Sequence, residues 1–172
     1  MTQPPQTPEP DNESADFALT RFSEYPQHIC AMAADCRRHL NIFSQDFDHL
    51  ILDNIEVVSS LRSFAVDNSR HASIRILVQR PENAIQQGHK LVELARRLTS
   101  IVEIRRPASQ HAAVANGFLT FDNSRYLFRE LGDRPDGMGS YDDSLRTIEL
   151  TRLFDEIWAL ATPEPEFRRL GL

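Results

Sequence analysis

Asp46 and Asp48, with His49 directly after them, are the residues whose types and spacing come closest to a chemical site in this sequence. Two carboxylates one residue apart at a strand end could serve a metal-dependent phosphoryl-transfer hydrolase: one attacks phosphorus, the other moves a proton, and a magnesium ion bridges them to the substrate. Such chemistry also needs a distant lysine and further acids at strand ends, and the sequence places none of them. The plainer reading is that both aspartates hydrogen-bond the backbone of an exposed turn, as Asp readily does. His111 and His89 are the next candidates, but a histidine with no partner at metal-ligand spacing more often packs structurally. The residues imply neither a metal site nor a cofactor.

Composition narrows the field. Of the 19 basic residues only Lys90 is a lysine, so any lysine-dependent scheme must use that one residue. Arginine pairs such as Arg96-Arg97 and Arg105-Arg106 could hold phosphate in guanidinium forks, although a solvated charged face is the plainer reading. A net charge of -6 argues against nucleic acid or an anionic membrane as partner, where a basic excess is expected. No apolar run approaches the roughly 20 residues that span a bilayer. With no basic-apolar start, cytoplasmic residence is the expectation. Cys30 and Cys36 fall on different faces of one helical stretch and read as buried reduced thiols rather than paired ligands.

The elements that must position these groups follow from periodicity. Residues 40–44, 73–79 and 101–105 read as short apolar strands separated by two helical patterns, a β-α-β-α-β run that implies a parallel sheet covered by helices. Asp46, Asp48 and His49 then lie at the carboxyl end of a strand, the edge where open α/β sheets bind ligands. Residues 1–16, rich in Pro and polar groups, read as a disordered tail, and 17–172 as one domain. From Phe17 onward a first helix is expected, with Arg37 and Arg38 in its last turn. Asp53 or Asn54 caps the next helix, whose stripe is Val57, Val58, Leu61, Phe64 and Ala65. A further helix ending near Leu98 buries Ala84, Gly88, Leu91, Ala95 and Leu98. Residues 114–121 and 125–129 form a β-hairpin around Asp122-Asn123-Ser124, residues 132–140 a loop, and a closing helix runs through Leu145, Ile148, Phe154 and Trp158 to stop at Pro163.

That succession of elements resembles one half of a phospholipase D-like domain. Phrases such as Ile42-Phe43-Ser44-Gln45-Asp46, Ile74-Arg75-Ile76-Leu77-Val78, Gly88-His89-Lys90-Leu91 and Phe154-x-x-x-Trp158 resemble a small uncharacterised bacterial family, whose members occur alone or appended to GNAT-type acetyltransferases. The resemblance implies a single α/β domain: a mixed, mostly parallel sheet flanked by helices, with a β-hairpin and a C-terminal helix. Active members carry His-x-Lys followed after four residues by Asp, the histidine attacking phosphorus and the lysine neutralising phosphate oxygens. With Asp122 as the acid, the histidine position is Ala115 and the lysine position Gly117. With His111 as the nucleophile, the lysine position is Ala113 and the acid position Phe118. Both registers lose the lysine, and Gly139-Ser140 sits too far from Asp122 for the usual spacing.

The resemblance therefore implies a non-catalytic binding or regulatory module. Its expected partner is a protein, a second copy forming a homodimer, or a small anionic ligand, and its candidate contacts are Asp46, Asp48, His49, His111 and Asp122. The rival is an enzyme, either the metal-dependent hydrolase built on Asp46 and Asp48 or a divergent phosphodiesterase using His111.

Overall fold

The computed structural model describes residues 15–167, which form an eight-stranded mixed sheet in the order β1-β7-β6-β5-β2-β3-β4-β8. The strands are β1 (Asp16–Leu19), β2 (His39–Ser44), β3 (Ser73–Val78), β4 (Val102–Arg106), β5 (Gly117–Phe121), β6 (Arg125–Arg129), β7 (Gly137–Ser140) and β8 (Thr162–Pro163). The helices are α1 (Tyr25–Asp35), α2 (Ile55–Asp67), α3 (Glu82–Gln87), α4 (Lys90–Arg97) and α5 (Ser144–Leu160). β2, β3 and β4 pair in parallel through the helical crossovers the sequence implies, Ile42 opposite Ile76 and Ile76 opposite Ile104. Antiparallel strands extend this core on both sides, β5 pairing with β2 and β8 with β4.

Alternation along the strands sorts the core onto two faces. Leu40, Ile42, Ile74, Ile76, Val102 and Ile104 meet the apolar sides of α1, α2 and α4. On the opposite face Phe43, Leu77, Phe118, Tyr126 and Phe128 meet Leu150, Phe154 and Ile157 of α5. Burying a side chain of this size contributes about 1.5–3 kcal/mol, so the helical face dominates stability. The α5 face also carries polar groups, several joined in one network, while the buried Thr151 Oγ1 has no protein partner. Asn41 donates to Thr120 Oγ1 at 3.0 Å and accepts from Arg75 Nε at 2.9 Å, while Arg75 reaches Asp155 at 2.7 Å. The Arg75 and Arg105 guanidiniums then lie over the Trp158 ring, at 5.4 and 4.2 Å from its centroid.

Several boundaries differ from the sequence reading. Of the segment expected to be a disordered tail, residues 1–14 lie outside the described residues, and Asp16 pairs with Ser140 at the sheet edge. Residues 17–19 are strand rather than helix; Phe17 stacks on His28 with ring centroids 4.0 Å apart. Arg37 and Arg38 lie past the end of α1, because the Asp122 carboxylate draws their amides into an extended path. The helix expected to end near Leu98 is broken at Gly88, whose φ of 79° no helix accommodates; Gly88 is exposed. The last four residues of the expected 132–140 loop are β7, whose backbone is satisfied by β6 and β1 on either side. β8 falls at Thr162–Pro163, where the closing helix was expected to stop. Both cysteines are free; Cys36 is buried and Cys30 half-buried.

His89 follows the break and caps α4. Its Nδ1 accepts from the Leu91 amide at 3.1 Å, which leaves the proton on Nε2 to donate to the Phe47 carbonyl at 3.1 Å. Burial holds this imidazole below the usual histidine pKa, so the folded chain keeps it neutral where the unfolded chain would protonate it. Stability from His89 is therefore complete at neutral pH and declines as pH falls below about 6.5. Denaturation midpoints for wild type and His89→Asn should differ most near pH 7.5 and converge toward pH 5; a constant gap would contradict the assignment.

Candidate functional site

The carboxyl end of β2 is where the sequence places its strongest candidates, and local backbone chemistry builds it first. Ser44 ends the strand and its Oγ accepts from the Phe47 amide at 2.9 Å, while Asp46 Oδ1 accepts from the Asp48 amide at 3.1 Å. These two bonds close a turn in which Phe47 (φ 71°) and Asp48 (φ 40°) occupy the left-handed region. Such a conformation costs a non-glycine residue of order 1 kcal/mol and persists only where its surroundings hold it.

The surroundings here are an arginine. Asp48 Oδ2 accepts from Ser44 Oγ at 2.9 Å and from Arg129 Nη2 at 2.7 Å, with the two charged side chains 9% and 3% exposed. Arg129 Nη1 donates to the Gly132 carbonyl at 2.6 Å, and the guanidinium lies 5.4 Å from the Tyr25 ring centroid. Desolvation pushes the Tyr25 hydroxyl up to about 12, so it stays protonated and donates to the Pro135 carbonyl at 2.7 Å. Gly117 completes the packing: a Cβ there would stand 3.1 Å from Arg129 Nη2, so the guanidinium occupies the space a side chain at 117 would need.

Two glutamines tie down the segment leading into β5. Gln45 Nε2 donates to the carbonyls of Val114 and Asn116, both at 3.0 Å, and Gln79 Nε2 donates to that of His111 at 2.9 Å. His111 sits in a single 3-10 turn (Ser109–His111), half-buried, with Nδ1 shielded from solvent and bonded to no protein group.

The structure brings Asp46, Asp48 and His49 together and separates them from the other candidates. The three line a depression of about 180 Å³ with Gln45, Arg80, Gly132 and Asp133, and neither His111 nor Asp122 borders it. Asp46 and Asp133 there oppose one exposed guanidinium, Arg80, since Asp48 is already neutralised by Arg129. This balance does not suit a small anion. Among the described residues no three His, Cys, Asp or Glu side chains converge to hold a metal ion.

Asp122 lies at the opposite end of β2. Its carboxylate accepts from the amides of Arg37, Arg38 and His39 at 2.8, 2.9 and 2.9 Å, and its own amide donates to the His39 carbonyl. Burial alone would raise this carboxyl, but the three amide donors outweigh it and hold the group below the usual carboxylate range. Nearby Cys36 is pushed up to about 12 by burial and by the Asp122 charge, which leaves the thiol un-ionised and unreactive.

Arg129 and Gln45 are the residues that sequence reasoning missed. One signal was present: alternation along Arg125-Tyr126-Leu127-Phe128-Arg129 puts Arg129 on the same face as Leu127, where a cation demands a buried acid.

A mixed sheet with helices on both faces and a hairpin beside the central strand defines a phospholipase D-like fold, and solved structures agree. Nuc from Salmonella typhimurium, a phospholipase D family member, superposes with a TM-score of 0.58 over 87% of this chain and 98% of its own, at 7% identity. NucT from Helicobacter pylori gives 0.56 over the same shares, also at 7% identity. TrmBL2, an archaeal chromatin protein whose structure shows a mode of DNA binding, gives 0.62 at 12% identity over 89% of this chain. This chain spans 56% of the archaeal protein's length. At these identities the likeness is one of fold alone. No curated protein matches by sequence. The chain belongs to the DUF7931 family, a domain of unknown function whose profile matches residues 21–170.

Two measurements check the roles assigned here. Removing one member of a buried ion pair strands the other, so Asp48→Leu and Arg129→Met should each cost about 3–5 kcal/mol in urea denaturation. The double variant should lose clearly less than the sum; strict additivity would show that the charges do not depend on each other. Asp122→Asn keeps a residue that tolerates φ 50° but removes the charge behind three hydrogen bonds, and should cost about 1–3 kcal/mol at pH 7. Because the folded carboxyl titrates low, that stabilisation is complete above pH 3.8 and fades below it, so the gap should narrow in acid.

Proposed function

We propose that this chain is a non-catalytic phospholipase D-like module that acts by binding a protein partner. The observation that carries the reading is the Arg129 guanidinium packed against Gly117 and paired with Asp48. In the register anchored on Asp122, position 117 is where an active enzyme would present its lysine to a phosphate. Here that volume holds a cation whose charge is already met by a buried carboxylate, and Ala115 offers no nucleophile at the histidine position.

The hydrolase alternative draws support from the spacing of Asp46 and Asp48, but Asp48 is committed to Arg129 and Ser44. A carboxylate so held would have to give up a buried ion pair to take a metal or attack phosphorus. DNA binding is a property of the archaeal chromatin protein; for this chain a net charge of -6 weighs against the phosphate backbone as partner.

Turnover assays test the reading directly. Neither bis(p-nitrophenyl) phosphate nor, with magnesium, p-nitrophenyl phosphate should release nitrophenol faster with wild type than with Asp46→Asn or His111→Ala. Release abolished by Asp46→Asn would establish the hydrolase, and release from the diester abolished by His111→Ala a divergent phosphodiesterase.

A further inference from the structure

α2 and α4 run side by side over the sheet, and the furrow between them has a volume of about 550 Å³. Its apolar floor comes from both helices. On α2, Ile55, Val58 and Val66 share one stripe, with Ile55 71% and Val66 53% exposed. On α4, Leu94 and Leu98 form the facing wall. Eleven residues separate Ile55 from Val66, so at about 1.5 Å per residue the stripe is about 16 Å long, three helical turns. Exposed β-branched side chains at both ends of one groove are a repeated departure from the usual pairing of helix faces with solvent or core.

The rim is basic in an acidic protein. Arg62, Lys90 and Arg97 border the groove against a single acid, Glu93. Lys90 leans on Asp53 at 3.5 Å, but Arg62 and Arg97 are exposed and make no ion pair among the described residues. Two guanidiniums without an internal counterion therefore flank the apolar furrow.

From this we infer that the α2–α4 groove is the partner surface of the module, and that its occupant is an amphipathic helix of about three turns from another protein, apolar on one face and flanked by Asp or Glu. The apolar face would cover Ile55, Val66 and Leu98, and the flanking acids would meet Arg62 and Arg97. With a net charge of -6 the rest of this chain disfavours an acidic segment. The basic rim thus attracts an acidic partner that the net charge of the chain repels.

This inference rests on the reading of the chain as a binding module, yet it fails separately: the turnover assays judge catalysis, and peptide binding judges the groove. The probe is a fluorescent, helix-stapled 14-residue peptide with leucines at i, i+3, i+4 and i+7 and glutamates beside them, titrated by anisotropy against the full chain. Its twin carries lysines in place of the glutamates. The glutamate peptide should bind at least tenfold more tightly than the lysine peptide. Ile55→Ser should weaken it fivefold or more, and the Arg62→Glu, Arg97→Glu double variant should reverse the preference. Both changes are at exposed positions, and circular dichroism and denaturation should show folding unchanged. Equal binding of both peptides, or none, would overturn the inference. So would concentration-dependent dimerisation abolished by Ile55→Ser, which would assign the groove to a second copy, or binding to vesicles of anionic lipid that Arg62→Glu, Arg97→Glu removes.

Discussion

A carboxylate and a guanidinium taken out of water together organise one end of this sheet. Each would be costly to bury alone, by several kcal/mol, and each is tolerable only because the other stands 2.7 Å away with neutral donors and acceptors filling the remaining valences. That requirement explains features that otherwise look unrelated. Asp48 must turn inward, which places it and Phe47 in left-handed backbone. β6 must end on an inward cation, a side chain at position 117 would crowd it, and the Gly132 carbonyl must face Arg129. The buried pair therefore sets the geometry of the loops around it more than it adds to net stability.

The same interaction separates architecture from chemistry. β2 and β5 pair antiparallel, so the end of one meets the start of the other, and on the proposed reading a phosphodiesterase would keep an open cation there for phosphate oxygens. In this chain the cation near that point is sealed beneath Tyr25 and held by a carboxylate. A field closed on itself in this way offers little to a ligand, because its charges are already balanced within the low-dielectric interior. On the proposed reading, recognition falls to surfaces where charge is left unbalanced and apolar groups are left uncovered, such as the α2–α4 groove.

The two ends of β2 show how one residue type can read alike in sequence and act differently in space. Asp46, Asp48 and Asp122 all follow strand endings, and all were candidates for ligand contact. Asp122 is consumed by three backbone amides, Asp48 by an arginine 81 residues away, and only Asp46, beyond its turn bond, faces solvent. What distinguishes them is which donors the chain folds back to them, and those donors come from distant parts of the sequence. Asp122 also explains why α1 stops at Asp35: its carboxylate, as acceptor for the following amides, competes with the next helical turn and wins.

Local periodicity was enough to determine the parallel core, the hairpin, the long closing helix and the strand-end location of Asp46, Asp48 and His49. Short-range sterics and the alternation of apolar side chains act within a few residues and leave their mark directly on the sequence. The short strands β1, β7 and β8 were not legible, because strands of two to four residues owe their existence to a neighbour's unpaired backbone rather than to their own pattern. Nor was the pairing of Asp48 with Arg129, apart from the inward cation that β6 alternation hints at. Only the tertiary structure decided that the would-be site is filled from within, since a charge buried by long-range packing must find its counterion in three dimensions, at a separation in sequence that no local rule encodes.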